Sequence, residues 1–443
     1  MTSFFILSSD IFRKMEFAKP GDLVLSSEVY SHIVNGKVRS EVCDHCLIRP
    51  GIYSEIQPVS ILRRCSSCQI VYFCSRECQK SSWKEHKVEC AYLKKISPRI
   101  PPDTVRLMIR VLLKLDKGGM HGETLPDGTL RRFSDLLTHE TEILKCPKRS
   151  EAFQHFLQLV EICFSKEKFQ PTLVFQVYCK ILINSVDITD DMQESVGTGL
   201  YLALSAVDHS CKPNVNAIFN GRTVELKALE PIPAPWFDNC RISYLAPVLP
   251  RDERRKVLQD QYYFKCECSY CSADTPRIEP SLLCPNCDTT ILLSSETCDK
   301  CRITLTLDRI KDYYSWSDQA QQLLAQNASD SEIFEVFLSG AKLCGTNDSV
   351  MLKVSEETWK RALNLGDMDL CVEGLKQMLP LQRLYYPENS ILLWNSLALL
   401  SKALFSLERV EEGRTYFAEA LSILKLSYGE EHNLHKYMLS YVL

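Results

Sequence analysis

The sequence predicts an α+β fold in which a strand-rich part is split by a cysteine-rich zinc module and followed by an all-helical region. Three observations lead to this prediction. Short strand-like segments occupy residues 1–42 and return in 184–246, apolar residues recur at helical spacing in 91–183 and 309–443, and cysteines cluster at metal-binding spacing. With 443 residues, the chain is long enough for several domains.

The composition excludes some classes of protein. Apolar residues make up 45% and charged residues 24%, and the net charge of −4 predicts no strong attraction to nucleic acid or anionic lipid. No apolar run approaches the roughly 18 residues that cross a bilayer, so we expect no membrane contact. No basic residue precedes the apolar patch near the start, so we expect no signal peptide. We expect an intracellular monomer, in the cytoplasm and nucleus.

The individual elements follow in chain order. The pieces DLVLSSEVYSHIV and GKVR, broken by Asn35-Gly36, predict short strands before the first cysteine cluster. Three helices follow in VRLMIRVLLKL, EAFQHFLQLVEICF and PTLVFQVYCKILI, with an exposed loop predicted over 117–132. Strands return in NVNAIFN, TVELKAL and RISYLA. The last clear helical pair resembles tetratricopeptide-type repeats, with a generic helical bundle as the alternative.

Cysteine usage predicts metal sites. An intracellular chain has little use for 21 cysteines as disulfides, and C-x2-C doublets in a reducing compartment indicate zinc. Fifteen of the 21 can be assigned to clusters. The remaining six, predicted to be small buried hydrophobic residues, are Cys146, Cys163, Cys179, Cys240, Cys344 and Cys371.

The first cluster spans residues 43–90. Zinc takes four ligands at tetrahedral corners, so eight ligands in 48 residues predict two sites, and metal binding must supply much of the folding free energy of so small a segment. The ligands are Cys43, Cys46, Cys65, Cys68, Cys74, Cys78, His86 and Cys90.

Two further clusters predict one zinc ion each, which gives four in total. The C-x-C-x2-C run lacks a fourth ligand, and Cys211 in DHSCKPN is the candidate. Two C-x2-C knuckles ten residues apart predict a zinc ribbon. The ligands are Cys211, Cys266, Cys268 and Cys271 in one site, and Cys284, Cys287, Cys298 and Cys301 in the other.

The first cluster resembles the MYND zinc finger. The resemblance implies interleaved sites, with Cys43, Cys46, Cys74 and Cys78 around one zinc ion and Cys65, Cys68, His86 and Cys90 around the other. Such a finger could brace its neighbouring domain or bind a proline-rich peptide. Seven Lys and Arg residues against five Asp and Glu residues in the segment give only weak support for DNA binding.

The segment DHSCKPN, followed by C-x-C-x2-C, resembles the SET domain of protein-lysine methyltransferases. A SET domain that is split by a MYND finger and followed by helices resembles the SMYD family over essentially the whole chain. The predicted parts are the start of the SET domain (1–42), the finger (43–90), a helical insert (91–183), the rest of the SET core (184–246), a post-SET zinc segment (247–275), a zinc-ribbon-like insert (276–308) and a tetratricopeptide-like helical domain (309–443).

The resemblance implies an S-adenosylmethionine-dependent protein-lysine N-methyltransferase that acts on histone or non-histone proteins. Tyr244 in RISYLA matches the active-site tyrosine, while Tyr262 and Phe264 match aromatics of the lysine channel and the cofactor pocket, with core aromatics as the alternative. The other implied cofactor contacts are Asp208, His209, Asn184, Ser205 and His139, the last of which could instead be an ordinary helix residue.

Several positions depart from the family pattern. The segment IFRKMEF carries no glycine pair, Asp208 stands for an asparagine, and Pro235 to Asn239 replace a G-E-E run. Val186 stands where relatives often have a larger aromatic in the lysine channel. These departures keep open an alternative function, a catalytically degenerate scaffold for protein interactions. A DNA-binding protein without catalysis would need a basic stripe that the sequence does not contain.

Overall fold

A computed structural model describes residues 16–52, 61–119, 121–164, 167–245, 248–273, 278–326 and 328–440. The described residues form fifteen strands and fifteen α-helices, which confirms the α+β fold. The strands are β1 (Phe17–Ala18), β2 (Leu23–Val34), β3 (Arg63–Arg64), β4 (Tyr72–Phe73), β5 (Glu123–Thr124), β6 (Leu130–Arg131), β7 (Ser185–Thr189), β8 (Ser195–Tyr201), β9 (Asp208–His209), β10 (Val215–Asn220), β11 (Thr223–Ala228), β12 (Ile232–Pro233), β13 (Arg241–Ile242), β14 (Ser281–Leu283) and β15 (Thr290–Leu292).

The helices vary from one turn to six turns in length. They are α1 (Arg76–Ile96), α2 (Asp103–Asp116), α3 (Glu140–Lys145), α4 (Pro147–Cys163), α5 (Pro171–Asn184), α6 (Trp236–Asn239), α7 (Arg251–Tyr262), α8 (Ser269–Ser272), α9 (Leu307–Ala325), α10 (Asp330–Ala341), α11 (Ser349–Leu365), α12 (Met368–Tyr385), α13 (Ile391–Ser406), α14 (Val410–Ser427) and α15 (Asn433–Leu439). None of the described helices has both the length and the apolar character needed to cross a membrane.

The central sheet has five antiparallel strands in the order β10, β11, β2, β8, β7. Strands β10 and β11 form a hairpin around Gly221, whose φ of 57° suits glycine in the tight turn. Strand β2 runs unbroken for 12 residues and pairs with β11 along its first half and β8 along its second half. The chain on both sides of the cysteine-rich finger therefore contributes to one sheet.

Two local features differ from the predictions. Residues Gly36–Val38, expected to start a strand, form a turn of 3-10 helix after Asn35. The stretch 117–132, expected to be an exposed loop, is largely exposed but also contains the hairpin of β5 and β6, which was not predicted. Its turn is closed by Asp127, which accepts hydrogen bonds from the backbone N–H of Thr129 at 2.8 Å and from its hydroxyl. A short polar hairpin of this kind lacks the apolar alternation that identifies longer strands.

The finger and the helical insert share one hydrophobic core. Buried residues of the finger, such as Val71 and Phe73, belong to the same cluster as Leu107 and Leu112 of α2 and Ile33 of β2. The finger is therefore packed into the body of the protein along its apolar side. The segment IFRKMEF, which carries no glycine pair, lies largely before residue 16 and so outside the described residues.

The C-terminal helices pack against one another in sequence order, α11 on α12, α12 on α13 and α13 on α14. This region docks directly on the sheet through Asn216 of β10, which is 4% exposed. The Asn216 amide donates to the Asn389 carbonyl and the Ser427 hydroxyl, both at 3.1 Å, and accepts from the N–H of Ile391 at 3.1 Å. A buried amide with three partners fixes the position of the helical region on the sheet.

Candidate active site and zinc centres

Two short parallel strands, β9 and β13, bring His209 and Tyr244 together. Asp208 pairs with Arg241 and His209 with Ile242 in this ladder. The chain then turns, so that the backbone N–H of Tyr244 donates to Nδ1 of His209 at 3.0 Å. The two rings lie 5.2 Å apart between centroids. Two of the predicted site residues are thus in direct contact although 35 residues separate them along the chain.

Hydrogen bonding determines which ring nitrogen of His209 carries the proton. Its Nδ1 accepts from Tyr244, so in the neutral ring the proton lies on Nε2, which is 3.3 Å from Sγ of Cys211. Burial lowers the pKa of His209 to about 4, so the ring is neutral at physiological pH. The imidazole therefore joins the Tyr244 backbone to a thiolate of the predicted post-SET zinc site.

Three aromatic side chains and His209 form a compact group. The Tyr244 ring lies 5.0 Å from Tyr262 and 6.4 Å from Phe264, and Phe264 lies 6.0 Å from His209. Tyr262 is the last residue of α7, and Tyr263 in the left-handed conformation turns the chain so that Phe264 reaches the same group. These aromatics pack against the core cluster that holds the post-SET zinc cysteines, and their contacts with a lysine or a cofactor stay predictions.

The Tyr244 hydroxyl is held in place. It donates to the carbonyl of Val207 at 2.7 Å, which leaves the oxygen as an acceptor for another donor. Burial is the largest cause that raises the pKa of Tyr244 above its usual 10, followed by the charge of Asp208. The group is therefore a neutral hydroxyl at physiological pH.

Asn184 and Ser205 lie on either side of a segment that crosses the site, residues 131–139. Asn184, at the end of α5, donates to the carbonyls of Leu137 at 2.9 Å and Lys180 at 2.8 Å. Ser205 accepts a hydrogen bond from Arg131 at 3.0 Å and donates to the carbonyl of Leu202 at 2.6 Å. Both residues position backbone around the site, and their predicted contacts with a cofactor stay predictions.

His139 and Val186 make other contacts in the structure than those within the group of Tyr244, Tyr262, Phe264 and His209. His139 precedes α3 in the left-handed conformation, with its ring 5.2 Å from that of Tyr263, so it is not an interior helix residue. Val186 lies on β7 opposite Gly199 and packs against the core of the sheet. Trp236 and Phe237 of the run that replaces G-E-E also pack against that core. The role of Val186 in a lysine channel stays a prediction.

Among the described residues, four groups of ligands have the geometry of zinc sites, which agrees with the predicted number. Within each group all ligand atoms lie within 4.8 Å of one another. Tetrahedral zinc with Zn–S bonds of about 2.3 Å requires sulfurs about 3.8 Å apart, and Cys46 and Cys74, for example, are 3.7 Å apart. The groups are Cys43, Cys46, Cys74 and Cys78; Cys65, Cys68, His86 and Cys90; Cys211, Cys266, Cys268 and Cys271; and Cys284, Cys287, Cys298 and Cys301.

The pKa values of the thiols in these groups shift in both directions: burial raises that of Cys74, for example, while hydrogen bonds lower those of other ligands. A hydrogen bond from Cys46 lowers the pKa of Cys43 to about 4, and a hydrogen bond with the Thr289 hydroxyl is the first cause that lowers the pKa of Cys287 to about 6. Among the six cysteines outside the groups, Cys146 is partly exposed and the others are buried, as expected of small apolar residues.

Charged residues that the sequence interpretation missed support the second zinc group of the finger. Glu89 accepts from Nδ1 of His86 at 3.1 Å, from Arg106 at 2.7 Å and from Arg110 at 2.7 Å. Arg110 continues the network to Asp44 at 2.8 Å. A carboxylate behind a histidine ligand fixes the ring for metal binding. The spacing of Glu89 three residues after His86 on a helix could have indicated this contact.

A second missed residue, Arg254, lies beside the post-SET zinc group. It is 2% exposed, and its Nη2 lies 3.6 Å from Sγ of Cys271. Its guanidinium stacks 4.8 Å above Tyr270 and 5.6 Å from Tyr385 of α12. Four thiolates around Zn²⁺ leave two net negative charges, which a buried guanidinium compensates. This contact also connects the zinc group to the helical region.

Comparison with known proteins agrees with this geometry. The MYND finger family model matches residues 43–90. Human histone-lysine N-methyltransferase SMYD3 is 28% identical over 426 residues, which cover 94% of this chain and 90% of that protein. Human N-lysine methyltransferase SMYD2 is 23% identical over 428 residues (95% and 92%), and ASHR1 of Arabidopsis thaliana, also named a histone-lysine N-methyltransferase, is 25% identical over 441 residues (93% and 88%).

The finger match and the similarity over more than nine-tenths of the chain support the SMYD family for this protein. The similarity extends over the finger, the sheet and the C-terminal helices alike. The His209 and Tyr244 pair and the four zinc groups lie within this common framework. The contacts of Arg131, Glu89 and Arg254 are properties of this chain's own structure.

Proposed function

We propose that this SMYD protein is an S-adenosylmethionine-dependent protein-lysine N-methyltransferase whose substrates are histone or non-histone proteins. The observation that carries the proposal is the aromatic group of Tyr244, Tyr262 and Phe264 around the neutral His209. The relatives named as lysine methyltransferases support the reaction class. A target lysine on a folded protein or a peptide would enter beside these rings.

Bound S-adenosylmethionine would supply a methyl group on a sulfonium, which a neutral amine can displace in line. The chain's own residues meet the other requirements. Aromatic walls disfavour the protonated amine by removing water from it, so they favour the nucleophilic form. Because the proton of Tyr244 is donated to Val207, its oxygen can accept a hydrogen bond from the amine and orient it.

The finger is proposed to act chiefly as a brace. The buried contacts of Glu89 with His86 and Arg106 join its second zinc group to helix α2, which packs against strand β2. A rigid finger would keep both halves of the sheet aligned. Binding of a proline-rich peptide at the same finger would leave these buried contacts unchanged and stays a secondary proposal.

Tyr244→Phe tests the enzymatic role. The variant removes one oxygen and keeps the ring, so S-adenosylmethionine affinity measured by calorimetry should stay within a few-fold of the parent. Transfer of a radiolabelled methyl group to histones or a lysate should fall at least about 10-fold, because the hydroxyl acts mainly in the transition state. Tyr314→Phe, on an exposed tyrosine, is the matched control and should leave both measurements unchanged.

The alternative function, a scaffold without catalysis, is favoured by Asp208, which adds a carboxylate to the site. A parent protein with four zinc ions that neither binds S-adenosylmethionine nor transfers methyl groups would support the scaffold. Equal turnover in the parent and Tyr244→Phe would instead remove Tyr244 from its proposed role.

A further inference from the structure

Arg131 places a positive charge beside the candidate active site. It lies on β6, where its Nε donates to the Ser205 hydroxyl at 3.0 Å and its Nη2 to the Ser205 carbonyl at 3.2 Å. The residue is half-buried, in contrast to Arg132, which is exposed. The guanidinium is therefore directed inward and fixed on the short 3-10 turn that leads to β9.

Three further contacts make this position rigid. Glu123, the partner of Arg131 in the β5–β6 hairpin, accepts from the backbone N–H of Ala203 at 2.9 Å. On the other side, the Lys180 ammonium donates to the carbonyls of Phe133 at 2.8 Å and Ser134 at 2.6 Å. The hairpin and the segment after it are thus tied to both α5 and the site. A charge held this way needs little reorganisation to bind a ligand.

Arg131 forms no close ion pair within the described part of the chain: no carboxylate lies within 4.0 Å of its guanidinium, Ser205 is its hydrogen-bond partner, and the more distant charge of Asp135 raises its pKa less than burial lowers it. A guanidinium has five N–H donors, of which Ser205 uses two. The planar fork of arginine fits a carboxylate in particular. An anionic ligand group is the natural complement.

Arg131 and Asp208 carry opposite charges and shift the pKa of the Tyr244 hydroxyl in opposite directions. The Arg131 guanidinium lowers the pKa of Tyr244 and the Asp208 carboxylate raises it, although burial is the dominant cause of the net rise. The surroundings of Tyr244 therefore offer the Asp208 carboxylate and two guanidinium groups, those of Arg131 and Arg241. A zwitterionic amino-acid group next to a sulfonium can complement both signs, with a carboxylate for a guanidinium and two positive centres for the anion.

We propose that Arg131 binds the carboxylate of the methyl donor's methionine part. The inference rests on the proposed function, because it requires that the pocket hold S-adenosylmethionine. The proposal also implies a ligand preference: the site should bind adenosine ligands that carry an α-amino acid more tightly than those that do not. Arg131 contacts the ligand in this assignment, while Ser205, Glu123 and Lys180 position it.

Calorimetry with two product-like ligands tests the assignment on the full zinc-loaded chain. S-adenosylhomocysteine carries the carboxylate, and 5′-methylthioadenosine lacks the amino-acid part. In the parent, S-adenosylhomocysteine should bind more tightly. Arg131→Gln should weaken its binding at least about 10-fold, the loss expected for a charge-assisted hydrogen bond, and should change 5′-methylthioadenosine binding less than about 2-fold. Arg132→Gln makes the same charge change on the exposed neighbour and should alter neither.

The outcomes separate the inference from the function on which it rests. If Arg131→Gln retains the parent's preference for S-adenosylhomocysteine, or weakens both ligands equally, the carboxylate assignment is wrong while the methyltransferase proposal stands. If the parent binds neither ligand, both fail together. Arg131→Lys keeps the charge on a similar stem, so partial recovery of the preference supports the assignment even if the glutamine variant folds poorly.

Discussion

Glu89 and Arg106 form an ion pair in the interior, with Oε1 of Glu89 2.7 Å from Nη2 of Arg106 and neither side chain more than 1% exposed. Because Glu89 also accepts from His86, the pair links a zinc ligand to helix α2. Removal of one member of such a pair leaves an uncompensated buried charge, which costs more than the pair itself contributes.

Glu89→Gln should therefore destabilise the protein strongly. The neutral amide keeps an acceptor oxygen but leaves Arg106 and Arg110 without sufficient negative charge. We expect the free energy of unfolding to fall by about 3–5 kcal/mol, measured by chemical denaturation of the zinc-loaded protein.

The same substitution at an exposed position of α1 serves as the control. Glu85 reaches Lys114 at 3.4 Å with 56% of its side chain exposed, so Glu85→Gln should change stability by less than about 0.5 kcal/mol. Similar effects from both variants would show that the finger is not anchored through Glu89.

The zinc groups could be predicted from the sequence, because C-x2-C knuckles and a histidine four residues before a cysteine on a helix are local patterns. The fourth ligand Cys211 is 55 residues from Cys266, and only its place in DHSCKPN suggested it. The presence of the long helices of the insert followed from apolar periodicity. The short β5–β6 hairpin was missed because two-residue strands leave no periodic pattern.

The charged contacts could not be predicted in the same way. Arg254 is one of three consecutive basic residues on a polar helix, and an exposed face was the natural interpretation. Only the packing of α7 against α8 and α12 buries it beside Cys271. Arg131 likewise adjoins the similar Arg132, and the pleat of a short hairpin decides which one points inward.

Each of the four zinc groups should bind one ion. Native mass spectrometry of the purified chain should therefore show four zinc ions, and Cys284→Ser should show three because a tetrathiolate site loses a ligand. The helical region should also become more sensitive to proteolysis in that variant, since Leu282 of the ribbon packs in one core with Tyr313 and Phe337.

Cys371→Ser makes the same chemical change at a buried cysteine outside the four groups and should retain four zinc ions. Four ions in Cys284→Ser would mean that the ribbon group does not hold metal. Fewer than four in the parent would remove at least one of the assignments.

Arg254 should matter for metal retention at the post-SET group. Arg254→Met keeps an unbranched stem and removes the charge beside Cys271, so the negative zinc–thiolate centre loses its compensation. We expect this group to release zinc to a chelator at least about 10-fold faster, with a colorimetric zinc indicator as the readout. Lys256→Met, on the exposed side of the same helix, should release zinc at the parent's rate. Equal rates in both variants would contradict the role of Arg254.

Asp208→Asn should tighten cofactor binding. The present carboxylate cannot donate a hydrogen bond, and an asparagine would restore an amide donor at the edge of β9. One regained hydrogen bond is worth roughly 0.5–1.5 kcal/mol, so the dissociation constant of S-adenosylhomocysteine should fall by about 2- to 10-fold in calorimetry.

Asp238→Asn, on the neighbouring helix α6, repeats the charge change outside the aromatic group and should have no such effect. The sulfonium of S-adenosylmethionine is attracted to Asp208, so its gain should be smaller than that of S-adenosylhomocysteine. Unchanged or weaker binding of S-adenosylhomocysteine to Asp208→Asn would show that Asp208 does not face the cofactor.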